Sequence, residues 1–161
     1  MKQLLIIGIV LFQTAVFGQK MKIEADSSVP GYAKDEIFIK AEIKKVYGMV
    51  ADIPNWKDWK PMCTESAVKG KTKKNAKFTW VVEGYKIKSK FHTVIPYSHL
   101  GWKSKKLVAN AVQNFTFEEK DGGTLVTFSE SLKGPLPKDL IDAVPWAVTN
   151  NLNHLKTAAE K

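Results

Sequence analysis

The chain contains no arginine; all 25 of its basic residues are lysine. It has a single cysteine, Cys63, and three histidines in 161 residues. Each scarcity excludes something. A net charge of +9 invites a nucleic-acid reading, but bidentate recognition of bases and phosphates relies heavily on guanidinium groups. One thiol excludes an internal disulfide and any Cys-rich zinc site. His92, His99 and His154 stand in no carboxylate-rich or cysteine-rich spacing, so neither a metal nor another cofactor is expected. There is no glycine-rich phosphate loop and no serine-centred nucleophile elbow. The length suits one domain with a core of its own. An apolar share of 44% excludes a disordered chain.

The one long apolar run is at the start. Lys2 is a short positive region, Leu4 to Phe12 is apolar, and Val16-Phe17-Gly18 offers a small residue before a cut. Residues 1–18 are therefore expected to be a signal peptide, and the protein periplasmic or secreted. The run is short for a bilayer span of about 20 residues, so an uncleaved anchor is the weaker alternative. Cleavage removes only Lys2 from the charge count. Residues 19–33 are polar and read as a spacer, which leaves 34–161 as the domain.

Within that domain Asp35 to Glu42 alternates as a strand does. Ala41 to Asp52 has a helical stripe of Ile43, Val46, Val50 and Ile53, ended by Pro54. Asn55–Trp59 is a turn or second short helix, closed by Pro61. Strands follow at Cys63–Lys69, Ala76–Glu83, Tyr85–Ile95, Leu100–Lys103, Val108–Glu118 and Thr124–Lys133, with Asp121-Gly122-Gly123 as a hairpin turn. Lys138 to Lys161 reads as a long helix that Pro145 should kink. Consecutive strands with one long amphipathic helix give an α+β fold. The helix covers only part of a curved sheet, and the space left between them is a default ligand site.

Val50-Ala51-Asp52-Ile53-Pro54-Asn55-Trp56-Lys57-Asp58-Trp59-Lys60-Pro61 resembles the "aDi.nW..W.P" signature of the polyketide cyclase/dehydrase-like branch of the SRPBCC (START/Bet v 1-like) superfamily. Leu100-Gly101-Trp102 is similar to that branch's "lgW" element. Gly122-Gly123-Thr124-Leu125-Val126-Thr127 through Glu130-Ser131 is similar to its "gGT.V...ES" hairpin. The resemblance covers roughly residues 34–160. It implies a helix-grip fold: a curved seven-stranded antiparallel sheet around a long C-terminal helix, two short helices after the first strand, and a hydrophobic cavity. It implies little about function, because the superfamily hosts carriers, cyclases and receptors.

Phe78, Trp80, Phe91, Trp102, Phe115 and Phe128 fall on the face assigned to the core. For any one ring ordinary packing is the simpler role, but together they suggest an aromatic-lined cavity. Trp56 and Trp59, three apart, share a helical face; they either plug the short helices onto the sheet or form a lip at the cavity entrance. Trp146 lies off the apolar stripe, turned inward by a kink at Pro145 or exposed as a contact. Glu130 is the acid/base candidate, a carboxylate placed among aromatics whose ionised form burial disfavours. Tyr85, Ser89 and Gln113 are its possible inward partners. Alternatively Glu130 is structural, or one residue out of register and in water.

The lysines cluster at 71–74, at Lys86, Lys88 and Lys90 on the outer face of one strand, and at Lys103, Lys105 and Lys106. The last group reads as a loop at the cavity mouth, where it can hold the anionic head of an amphiphile or touch anionic membrane. The expected function is binding of a hydrophobic or amphipathic small molecule by a monomer or weak dimer, with no nucleic acid. The alternatives are a cyclase/dehydrase-type enzyme using Glu130, and an interaction domain with a collapsed cavity.

Overall fold

The computed structural model describes residue 21 and residues 23–106 and 108–161. The expected signal peptide lies outside them. The elements are β1 (Gly31–Ile39), α1 (Ile43–Ala51), a 3-10 helix (Ile53–Asp58), β2 (Cys63–Val68), β3 (Lys77–Val82), β4 (Tyr85–Ile95), β5 (His99–Lys106), β6 (Ala109–Lys120), β7 (Gly123–Lys133), α2 (Lys138–Asp142) and α3 (Val144–Ala159). All strand pairs are antiparallel, in the order β1-β7-β6-β5-β4-β3-β2. This is the helix-grip α+β arrangement: consecutive hairpins from β2 to β7, with β1 returning beside β7.

Local chemistry explains most boundaries. β6 and β7 are joined by Asp121 and Gly122, both at positive φ (47° and 75°), as a two-residue hairpin turn requires. β1 starts at Gly31, inside the segment expected to be a spacer. It pairs without interruption from Gly31 opposite Leu132 to Ile39 opposite Thr124. Any Cβ at Gly31 would come within 2.7 Å of the Leu132 carbonyl oxygen, so the turn-like Pro-Gly pair opens a strand instead. Described residues earlier in that segment are tied to the sheet: Asn114 Nδ2 donates to the Ile23 carbonyl and Lys133 pairs with Asp26.

β5 corrects a second expectation. It runs on through Lys103 to Lys106, with Lys103 opposite Lys90 on one side and Val112 on the other. These lysines belong to the sheet, not to a loop. Pro145 also acts differently from a kink. The helical tail is two helices, and Pro145 sits in the first turn of α3, where its missing N–H costs nothing.

α3 packs its buried stripe of Val144, Val148, Leu152, Leu155 and Ala159 into the hollow of the sheet. Polar contacts fix it to β1 and its end: Lys156 Nζ donates to the Phe38 carbonyl (2.6 Å), Thr149 Oγ1 to Asp35 (2.6 Å), and the Lys40 amide to Glu160 (2.8 Å). No described helix is long and apolar enough to cross a membrane.

Candidate functional site

The inner face of the sheet carries two kinds of side chain. Towards one end are rings that fill one another's space. Phe115 stacks on Phe128 (4.2 Å between centroids) and on Trp102 (5.8 Å), and Phe78 stacks on Phe91 (4.6 Å). Trp56 is the hub, with Phe78, Trp80 and Trp102 at 5.5–5.6 Å. All these rings are buried. The expected aromatic lining is therefore mostly core: of the set, only Trp80 lines the cavity. Trp56 and Trp59 are not a lip. Their indole N–H groups donate to the Val50 and Met49 carbonyls, which pins the 3-10 helix to α1.

The cavity lies at the other end, between the sheet, α2 and α3. It has two adjoining lobes of about 370 Å³ and 270 Å³ that share Trp80, Ile87, Gln113, Glu130, Leu132 and Leu140. The outer lobe opens between Tyr85, Val108 and the Pro135–Pro137 segment. The inner lobe reaches Lys60, Asn150, Asn151 and His154, and Trp146 stands exposed at its edge. Tyr85 is half exposed at the entrance, not inward beside Glu130.

A chain of hydrogen bonds runs under the cavity floor. Trp80 Nε1 donates to Ser89 Oγ (3.1 Å), which contacts Ser104 Oγ (2.9 Å). Ser104 Oγ and Trp102 Nε1 both donate to Gln113 Oε1, at 2.8 and 2.6 Å. An indole N–H can only donate, so Oε1 of Gln113 must be the acceptor and its amide nitrogen must face Glu130. It does, donating to Glu130 Oε1 at 3.1 Å. Ser104 spends its proton on Gln113, so Ser89 donates to Ser104. Every donor in the relay points towards Glu130.

Lys60 is the functional residue that the sequence reading missed. It is only 8% exposed. Its Nζ lies 4.7 Å from the Trp80 ring centroid and 5.5 and 5.8 Å from those of Trp56 and Trp59. Cation–π contacts of this kind stabilise an ammonium by roughly 0.5–2 kcal/mol. No carboxylate lies within 4 Å of it among the described residues. The signal was its spacing: Lys60 follows Trp56 by four, and its amide bonds the Trp56 carbonyl (2.8 Å), which sets both on one helical face.

Glu130 and Lys60 act on each other. Burial pushes the Glu130 carboxyl above its ordinary pKa, while the Lys60 charge and the Gln113 bond oppose that rise. Burial pushes the Lys60 ammonium below its ordinary pKa, with Glu130 opposing. The site is thus a largely apolar cavity faced by buried Lys60 and by Glu130 with no direct ion pair between them, and Glu83 and His154 also line its inner lobe. Among the described residues no group of histidines, cysteines or carboxylates could hold a metal.

Lys103 and Lys105 are not part of this site. They point from β5 to the outer face of the sheet, because their neighbours Trp102 and Ser104 point inward. Lys106 ends β5, and its side chain lies outside the described residues.

Fold and cavity together define a helix-grip protein of the SRPBCC class. Residues 33–160 match the family model described as polyketide cyclase / dehydrase and lipid transport, and the chain belongs to that family. Solved structures agree on the fold. A hypothetical protein from Helicobacter pylori has a TM-score of 0.70 at 12% identity, over 83% of this chain and 90% of that one. A START superfamily protein from Mycobacterium smegmatis has a TM-score of 0.65 at 13% identity, over 80% and 94%. The Aha1 dimer from Colwellia psychrerythraea has a TM-score of 0.63 at 21% identity, over 80% and 96%. No curated protein matches the chain in sequence.

Proposed function

We propose that the protein binds a hydrophobic or amphipathic small molecule, apolar body in the two-lobed cavity and polar group inward against Lys60 and Glu130. The observation that carries this reading is Lys60: a lysine only 8% exposed turns to the cavity, with no side-chain hydrogen bond or ion pair to another described residue. An ammonium facing an apolar cavity is poorly solvated, and a ligand carbonyl or carboxylate would pair with it. The head group is thus held inside the cavity and not at a lysine rim. Native mass spectrometry of freshly purified protein tests this; protein that is consistently empty and also rejects fatty acids and aromatic probes would refute it. With the apolar start at Leu4–Phe12, the carrier works outside the cytoplasm. Its purified exported form should begin at Gln19.

An enzyme of the cyclase or dehydrase kind is the second reading, and Lys60 strengthens it. Glu130 alone had no titratable partner; Lys60 supplies one of opposite charge on the same cavity. On this reading Glu130→Gln abolishes turnover of a polyketide-like substrate while leaving its binding intact. Loss of binding in step with turnover would favour the carrier. The interaction-domain reading required side chains to fill the cavity, and the cavity is open.

A further inference from the structure

The register of three neighbouring strands gathers lysines that are far apart in the sequence. Lys77 on β3 lies opposite Lys90 on β4, which lies opposite Lys103 on β5. In the next row Thr79 lies opposite Lys88, Lys88 opposite Lys105, and Lys105 opposite Asn110. With Lys69 beside β2, these side chains are exposed and line a trough of about 760 Å³ on the outer face of the sheet. No acidic residue lines that trough. None of the six lysines is in an ion pair among the described residues. Like charges placed directly across strands destabilise a sheet. Edge protection does not account for them, since β4 and β5 are interior strands.

We propose that this face docks the protein on an anionic lipid bilayer. Two observations favour a bilayer over a nucleic acid. The charges are all lysine, which makes diffuse contacts and not forked ones to phosphate or base. Among the described residues the one ring in the trough lining, Phe78, is only 2% exposed, so none of them offers a ring on which a base could stack.

The test is sedimentation of the exported form, beginning at Gln19, with vesicles of phosphatidylcholine alone or mixed with phosphatidylglycerol. Binding should need the anionic lipid and fall by at least about tenfold between low and high salt. A variant with Lys77, Lys88, Lys90, Lys103 and Lys105 all changed to Gln should lose it. A control with Lys44, Lys45, Lys57, Lys120 and Lys161 changed to Gln has the same net charge and should keep it. If the face variant does not fold, vesicles should still shield Lys77, Lys90 and Lys103 of the natural chain from acetylation, read by mass spectrometry. Equal loss in both variants, binding to neutral vesicles that the face variant retains, unshielded lysines, or tighter binding to DNA or RNA than to lipid would each overturn the proposal.

Discussion

Lys60 reaches the cavity because one helical turn carries it from Trp56 to the same side of the chain, under three indoles. At this scale charge decides behaviour. Glu130 has its pKa raised in the folded protein, so its ionisation disfavours folding. Stability that is full below the unfolded carboxyl's pKa, about 4.3, is lost as the pH rises through the folded midpoint. Lys60 offsets part of that loss, so the effect is cleanest without it. In a Lys60→Met background, adding Glu130→Gln should stabilise the protein at pH 7 and change little at pH 4 in urea denaturation. Lys60→Met alone should move the Glu130 midpoint further up, read by carboxyl carbon NMR. An unmoved midpoint would disprove the coupling.

Among the elements, α3 carries the closure of the fold. Its buried stripe meets the sheet, and Leu155 is fully buried. Leu155→Ala should cost about 2–5 kcal/mol. Leu140→Ala on α2, where the side chain is 45% exposed, should stay within about 0.5 kcal/mol. Equal effects on the unfolding midpoint would contradict this division between a gripping helix and a covering one. The elements also show what could be read in advance. β4 has the bounds its alternation predicts, although a bulge between Phe91 and Thr93 breaks the alternation and buries His92, and the β6–β7 turn follows from Asp121-Gly122. β5 was cut short because Ser104 stands where an apolar residue would have continued the inward row. Ser104 is inward for a polar reason, its bond to Gln113. The candidate site was legible at Glu130, Gln113 and Trp80, which the register places on one cavity. Lys60 was not, since a lysine between Trp59 and Pro61 reads as solvated until the rings close over it. The outer lysine face depends on pairing between strands, which no single segment encodes.

For the whole molecule, stability is held by packing. Cys63 is buried and unpaired as a disulfide, and the cavity leaves part of the interior unfilled. Occupancy should therefore matter. A ligand held only by the folded state adds about 2.7 kcal/mol at a concentration 100 times its Kd. Delipidated protein should melt earlier than freshly purified protein and recover when an amphiphile is restored; identical melting curves would argue that no resident ligand occupies the cavity. The tryptophans give a way to watch this. Four of the five are buried, and Trp56 contacts Trp59, Trp80 and Trp102 at ring distances of 5.5–6.2 Å. Trp146 alone stands in water at the edge of the inner lobe. The protein is thus its own optical instrument: a coupled set of indoles reports the integrity of the interior, and a single quencher-accessible indole reports what enters.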